Sequence, residues 1–376
     1  MRAPLEEETM LKVTYDYQIF CWQRYGGISR YFYELARRVS TAPDFAVQIL
    51  AGAYMNEYLK QCPSGLVKGL SVPRIPKGQK VLGRVNEVMS EWMLKSQSPD
   101  VVHETFYAAK SLAPAGAKVV TTIHDMLPEK FPQYFAKYGV SDVKKRCVER
   151  ADHILCVSKN TQKDLIELFD VDPDKTSVTY HGSSFQYCDR PISSEHQPAT
   201  PYLLYVGGRG GHKNFGALLE AYARSTQLNE ACNIVCFGGD ILSEKEQALL
   251  AQRGIAADKL MRITGGDEVL IDLYKGAIAF VYPSLYEGFG IPLIEAMSLR
   301  CPVVCSDSSC FPEVAANAAE YFPPDNVDSL VQALEAVTFS QQRREQLIAA
   351  GTERVKQFSW DTCALQTQKV YQQVMS

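Results

Sequence analysis

Pro283-Ser284-Leu285-Tyr286-Glu287-Gly288-Phe289-Gly290-Ile291-Pro292-Leu293-Ile294-Glu295-Ala296-Met297 carries two carboxylates, seven residues apart, around a Gly-Phe-Gly turn. The run before it, Ala277-Ile278-Ala279-Phe280-Val281-Tyr282, reads as a short buried strand. Pro292 suits the first turn of a helix, where its missing N–H costs nothing. Glycines let backbone come close to a ligand, and the open N–H groups of a helix start favour an anionic one. Glu287 precedes the turn and Glu295 follows it by a helical turn, so both are expected to face one crevice. A carboxylate accepts two hydroxyls at once, as sugar diols offer them. The combination suits a sugar diphosphate.

Outward from this segment, strand-like runs alternate with helical patterns along the whole chain, which predicts α/β architecture with parallel sheets. Leu11–Asp16 opens the first strand; Gly26-Gly27 and a helical pattern from Tyr31 to Val39 follow. A polar stretch containing proline, Ser193 to Pro201, reads as a linker. A second cycle then begins with Tyr202–Val206 and the loop Gly207-Gly208-Arg209-Gly210-Gly211-His212-Lys213. Two doubly wound, Rossmann-like domains are expected, roughly residues 10–190 and 200–358, with the ligand in an interdomain cleft beyond the strand ends.

Candidate chemistry lies at those strand ends. Gly207 and its neighbours admit a diphosphate, and Arg209 and Lys213 are the cations to neutralise it; His212 reads as a surface residue. Gly26 and Gly27 would approach the phosphates through backbone, or simply make a tight turn. His124 follows an apolar strand and suits a sugar hydroxyl or the reacting centre, with Asp125 orienting it. His103-Glu104 holds an equivalent place, and site and core readings stay open there. Asp170-Val171-Asp172 has a metal-binding spelling but ends an amphipathic run and reads as a polar turn, so no metal site is assigned.

Bulk properties narrow the class. The 376 residues suffice for two domains, and a net charge of -4 argues against nucleic acid as partner. With 46% apolar residues, the chain has no apolar run of spanning length. Eleven scattered cysteines, with no signal peptide evident, predict reduced thiols and a cytoplasmic protein. Residues 1–9 read as an extension before the first strand, with Met10 as an alternative start. The amphipathic pattern Val81–Leu94, flanked by Lys80 and Lys95, reads as a helix packed on the core, with peripheral contact at the inner membrane face as the alternative.

The Glu-x7-Glu segment, together with Gly26-Gly27, Asp100-Val101-Val102-His103, Thr122-Ile123-His124-Asp125, Val157-Ser158 and Tyr205-Val206-Gly207, resembles retaining glycosyltransferases of family 4, with the GT-B fold. The resemblance runs from about Leu11 to the end. It implies that Glu295 holds ribose, Glu287 the transferred sugar, and the N–H groups of Phe289, Gly290 and Ile291 the sugar and phosphate. It implies that Lys213 and an arginine hold the diphosphate, that His124 touches the sugar, and that no metal is needed. Phe358-Ser359-Trp360 resembles the start of the family's last helix, so 359–376 is expected to return to the first, acceptor-binding domain, with the donor on the second.

The family's frequent donors imply a UDP-hexose, UDP-glucose first, and a glycan or lipid-linked acceptor in polysaccharide biosynthesis. The competing class is a sugar-nucleotide-binding scaffold without turnover; this chain keeps His124, Lys213 and both glutamates. Three positions depart from the family. Gly208 stands where the phosphate arginine is usual, the loop after Ile263-Thr264-Gly265 is short, and His181-Gly182 replaces Asn-Gly.

Overall fold

Thirteen short strands, most of them near-continuous apolar runs, order the molecule. The computed structural model describes residues 10–73, 79–135, 139–193 and 195–376. Strands β1 (Leu11–Tyr15), β2 (Phe45–Tyr54), β3 (Val67–Ser71), β4 (Val101–Glu104), β5 (Lys118–Ile123), β6 (His153–Cys156) and β7 (Thr176–Val178) form one sheet. Strands β8 (Tyr202–Val206), β9 (Asn233–Phe237), β10 (Leu260–Ile263), β11 (Ala279–Tyr282), β12 (Val303–Ser306) and β13 (Ala319–Phe322) form the other.

The orders are β3-β2-β1-β4-β5-β6-β7 and β10-β9-β8-β11-β12-β13, with every pair parallel. Both reverse direction after their first strand, between β1 and β4 and between β8 and β11. Such a switch point opens a crevice beyond the strand ends, where ligands of doubly wound folds bind. These are two Rossmann-like sheets.

Two compact units divide the chain: residues up to His181 with Ser359–Ser376, and Gly182–Phe358. The second unit therefore begins before the polar stretch 193–201. Arg190 pairs with Asp272 at 2.9 Å and Lys275 Nζ donates to the Cys188 carbonyl at 3.0 Å, tying the segment after His181 to that unit.

In the first unit, the Gly27–Val39 helix buries Tyr31, Phe32, Leu35, Ala36 and Val39 on one face. The Trp360–Gln373 helix starts at Ser359, whose Oγ accepts from the Asp361 and Thr362 N–H groups. Its Trp360, Cys363, Ala364, Val370 and Tyr371 repeat at helical spacing and enter the same core.

A buried polar chain closes that core. The Tyr371 hydroxyl lies 2.9 Å from the Tyr15 hydroxyl and 2.6 Å from His103 Nδ1; His103 Nε2 lies 2.8 Å from Thr122 Oγ1, and Thr122 lies 3.3 Å from the Tyr31 hydroxyl. His103 is thus a core histidine with both ring nitrogens satisfied, which closes the reading left open at sequence level. Glu104 beside it is held by Arg150 at 2.6 Å.

Tyr371→Phe would leave Tyr15 and His103 each short of a partner, at a cost of about 1–3 kcal/mol. Its thermal midpoint should fall; an unchanged midpoint would contradict the network. Burial pushes His103 and His181 down to about 3. Their folded pKa values lie below the unfolded value of about 6.5, so the folded state binds fewer protons. Their stabilisation is present above that unfolded value and is lost as pH falls toward 3, at up to about 1.4 kcal/mol per histidine per pH unit. The midpoint should drop between about pH 7.5 and 5.5, and less so in His103→Gln. A variant drop as large as the parent's would contradict this assignment.

Candidate active site

The two loops that leave β8 and β11 stand side by side because those strands pair directly, Leu203 with Ala279 and Leu204 with Phe280. After β8, Gly207 takes φ 111°, a conformation open to glycine. Gly208 and Gly210 have no such φ, and a Cβ on either would meet nothing within 4 Å. The fold does not require glycine at those two positions; their bareness leaves room beside the backbone. A short turn, Gly211–Lys213, then delivers Lys213 to the start of the Phe215–Arg224 helix.

Lys213 Nζ donates to Glu287 Oε1 at 2.6 Å and lies 5.6 Å from the centre of the Tyr282 ring. The Leu285 N–H donates to the His212 carbonyl at 2.7 Å and stitches the loops together. Ser309 Oγ accepts from the Glu287 N–H at 3.1 Å; Ser306 and Ser308 donate to the Ser284 and Leu285 carbonyls at 2.6 and 2.9 Å. The Tyr282 hydroxyl is held protonated, first by burial and then by the Glu287 charge.

Gly290, at φ 83°, turns the chain into the Ile291–Ser298 helix. A Cβ there would press on Phe311 at 3.2 Å and Leu293 at 3.3 Å, so both conformation and space select glycine. The first-turn N–H groups of such a helix lack intrahelical acceptors. Phe289 is buried edge-on to Phe358, with ring centres 5.6 Å apart. Glu295, in the helix that follows, is buried, and the Tyr274 hydroxyl donates to its Oε2 at 3.4 Å. Burial, then the Glu295 charge, raises the Tyr274 phenol well above its ordinary range.

Arg209 is placed differently from Lys213. Its Nε donates to Glu246 at 2.6 Å and one Nη donates to the Asp240 and Ile241 carbonyls at 2.6 and 3.2 Å. Its guanidinium braces the 238–246 loop, while Lys213 meets Glu287. Glu246 escaped sequence reading, although it belongs to a legible capping box with Ser243. Tyr282, Tyr274 and Ser309 were also missed; aromatic strand ends and a lone serine give no distinct pattern.

In the first unit, His124 follows β5. Its ring lies 5.3 Å from Tyr31 and 6.2 Å from His181, whose plane is parallel within 2°. Its Nε2 is buried with no hydrogen-bond partner among the described residues. Burial, and then His181, His103 and Lys144, keep the ring neutral. Asp125 does not orient it: the carboxylate accepts from the Leu127 N–H at 3.0 Å and lies 3.9 Å from Lys144.

Gly26 precedes the Gly27–Val39 helix in extended conformation. Gln23 Oε1 accepts from the Ser29 N–H at 3.1 Å, and a Cβ on Gly26 would meet that oxygen at 2.3 Å. Asp170 and Asp172 serve backbone: the first ends the Lys159–Phe169 helix at φ 54°, and the second accepts from the Asp174 N–H. Among the described residues, no group of three or more His, Cys, Asp or Glu converges as metal ligands.

The family model for glycosyl transferases group 1 matches residues 190–354, and that for glycosyltransferase family 4 matches residues 25–184. O-antigen chain mannosyltransferase B of Escherichia coli is 30% identical over 373 residues, covering 92% of this chain and 95% of that protein. Among solved structures, sucrose-phosphate synthase from Thermosynechococcus elongatus aligns over 97% of this chain and 99% of its own, with TM-score 0.79 and 18% identity. HepE from Anabaena, solved in complex with UDP-glucose, aligns over 96% of this chain and 100% of its own, with TM-score 0.75 and 16% identity. With two parallel Rossmann-like sheets and these matches along its length, the chain is a glycosyltransferase of family 4 with the GT-B fold.

Proposed function

We propose that this protein transfers a hexosyl residue, with retention and without a metal, from a nucleoside diphosphate sugar to a saccharide acceptor, free or carried on lipid, in cytoplasmic polysaccharide assembly. The observation that carries this reading is the Lys213–Glu287 pair at the β8/β11 switch point, with buried Glu295 in the helix after it. The donor sugar is proposed as mannose, because the full-length relative is named a mannosyltransferase. UDP-glucose, the donor expected from sequence, is the rival to be tested against it.

In this reading the bond from the sugar's anomeric carbon to the phosphate oxygen breaks. A bond to the acceptor oxygen forms on the same face, and the acceptor proton passes to the departing phosphate. Lys213 neutralises the charge that grows on that phosphate, aided by the N–H groups at the start of the Ile291–Ser298 helix. Such a helix terminus gives about 0.3–1 kcal/mol, so the cation carries most of the stabilisation. Glu287 then lies beside the positive charge that develops on the sugar ring. Glu295 accepts the ribose hydroxyls. The neutral His124, with its open Nε2, is suited to a sugar hydroxyl, and Gly26 and Gly27 to close backbone approach. Arg209 acts through the 238–246 loop as a positioning residue.

Thermal shift with GDP-mannose and UDP-glucose ranks the donors, since a ligand selective for the folded state raises the midpoint, by about 2.7 kcal/mol of stability at one hundred times Kd. A rise with UDP-glucose alone would replace mannose by glucose. A rise with neither donor, and no donor hydrolysis, would favour the non-catalytic scaffold.

Glu287→Ala should lower kcat by roughly 10²–10³, the equivalent of about 3–4 kcal/mol. Glu295→Ala should raise donor KM more than it lowers kcat and should weaken binding of the nucleoside diphosphate product. Calorimetry showing equal weakening of product binding by both changes would show Glu287 misplaced. Turnover should also survive EDTA; complete loss, restored by magnesium or manganese, would end the metal-free account.

A further inference from the structure

The Gln79–Gln97 helix presents its apolar residues to the wrong side for a core element. The face against the sheet holds Asn86, Ser90 and Leu94, all buried. Asn86 is committed to that face: Oδ1 accepts from the Ala53 N–H at 2.8 Å, and Nδ2 donates to the Ala53 carbonyl at 2.9 Å. It closes backbone groups at the irregularity of β2, where Gly52 stands at φ 58° and a Cβ would meet Asn86 Oδ1 at 2.5 Å. This polar anchor fixes the helix's rotation, so what points away from the sheet is not set by chance.

Pointing away are Val85, Val88, Met89 and Trp92, with Val88 70% and Trp92 71% exposed. At 3.6 residues per turn they share an arc of about 100°. Arg84 and Lys95 border that arc on one side, both exposed, with Lys95 also 3.1 Å from Glu91. On β3, the sheet's edge strand beyond β2, Leu70 is 70% exposed and Lys68 is exposed beside it. The surrounding sequence has a matching charge bias. From Tyr58 to Asn86 there is no Asp or Glu, while Lys60, Lys68, Arg74, Lys77, Lys80 and Arg84 supply six cations in a chain whose net charge is -4. No helix among the described residues is long and apolar enough to cross a membrane.

We propose that this face docks on an anionic lipid surface, the Gln79–Gln97 helix lying in the interface plane with Trp92 and Val88 at headgroup depth and the cations on the phosphates. An apolar stripe bordered by basic residues binds such a surface by adding buried area to electrostatic attraction. The inference stands apart from the choice of donor sugar, since none of these residues belongs to the loops after β8 and β11.

The full chain should sediment with vesicles of equimolar phosphatidylcholine and phosphatidylglycerol and remain in solution with phosphatidylcholine alone. Arg84→Ala should weaken partition about fivefold, and Val88→Ser/Trp92→Ser by on the order of tenfold or more, with thermal midpoints near the parent's. Trp92→Phe keeps an apolar ring and should retain binding. In a Trp22→Phe background, tryptophan emission should shift blue with the anionic vesicles. A parent chain that stays in solution with both vesicles overturns the proposal whatever the variants do. Undiminished binding by a folded Val88→Ser/Trp92→Ser protein overturns it as well. So would self-association of the parent that this double change abolishes while vesicle binding persists, since the face would then join two copies of the chain.

Discussion

Lys213 and Glu287, 74 residues apart in sequence, meet at 2.6 Å, and the second unit's chemistry depends on that contact. Neither loop places its residue alone. Direct pairing of β8 with β11 brings the loops together, and the Leu285 to His212 hydrogen bond fixes their separation. Glu287 is 9% exposed, and a carboxylate so placed is costly without a partner. Lys213 offsets that cost in the unliganded protein and is the same cation a diphosphate would recruit.

The units use different polar devices for similar topologies. In the first, the groups near the strand ends are neutral: His103, His124 and His181 are stripped of charge by burial, and hydroxyls of Tyr15, Tyr31 and Tyr371 complete the network. In the second, charge is retained and paired, at Lys213–Glu287 and Arg209–Glu246. Neutral hydrogen-bond chains are untouched by salt and vulnerable to acid; partly exposed ion pairs respond to salt. The donor-side loops are therefore the ones to follow by ionic strength, and the first unit by pH.

Much of this was legible in the residues. Strand runs ending in Gly26, His124, Gly207 and Glu287 announced doubly wound sheets, because a buried parallel strand must be apolar and its exit loop need not be. Glycine at 290 was legible for a reason the structure supplies, a left-handed φ against the Phe311 ring. Arg209 was not: its partner Glu246 lies 37 residues on, in a different loop, and sequence spacing cannot show which cation folds back. Asp125 looked like an orienter of His124 by adjacency alone, but its carboxylate caps the Leu127 N–H. The Gln79–Gln97 helix was read from its periodicity as core-packed. Periodicity gives the existence of an apolar face and not its direction; Asn86, bonded to Ala53, sets that direction.

The most direct test of the account is a double-mutant cycle on turnover with Lys213→Ala, Glu287→Ala and the pair together. If the two residues work as one unit, the double variant should lose about as much as the worse single one, because each change already disables the partner. Losses that multiply, leaving the double variant slower by the product of the two factors, would show that the contact between Lys213 and Glu287 has no part in the reaction.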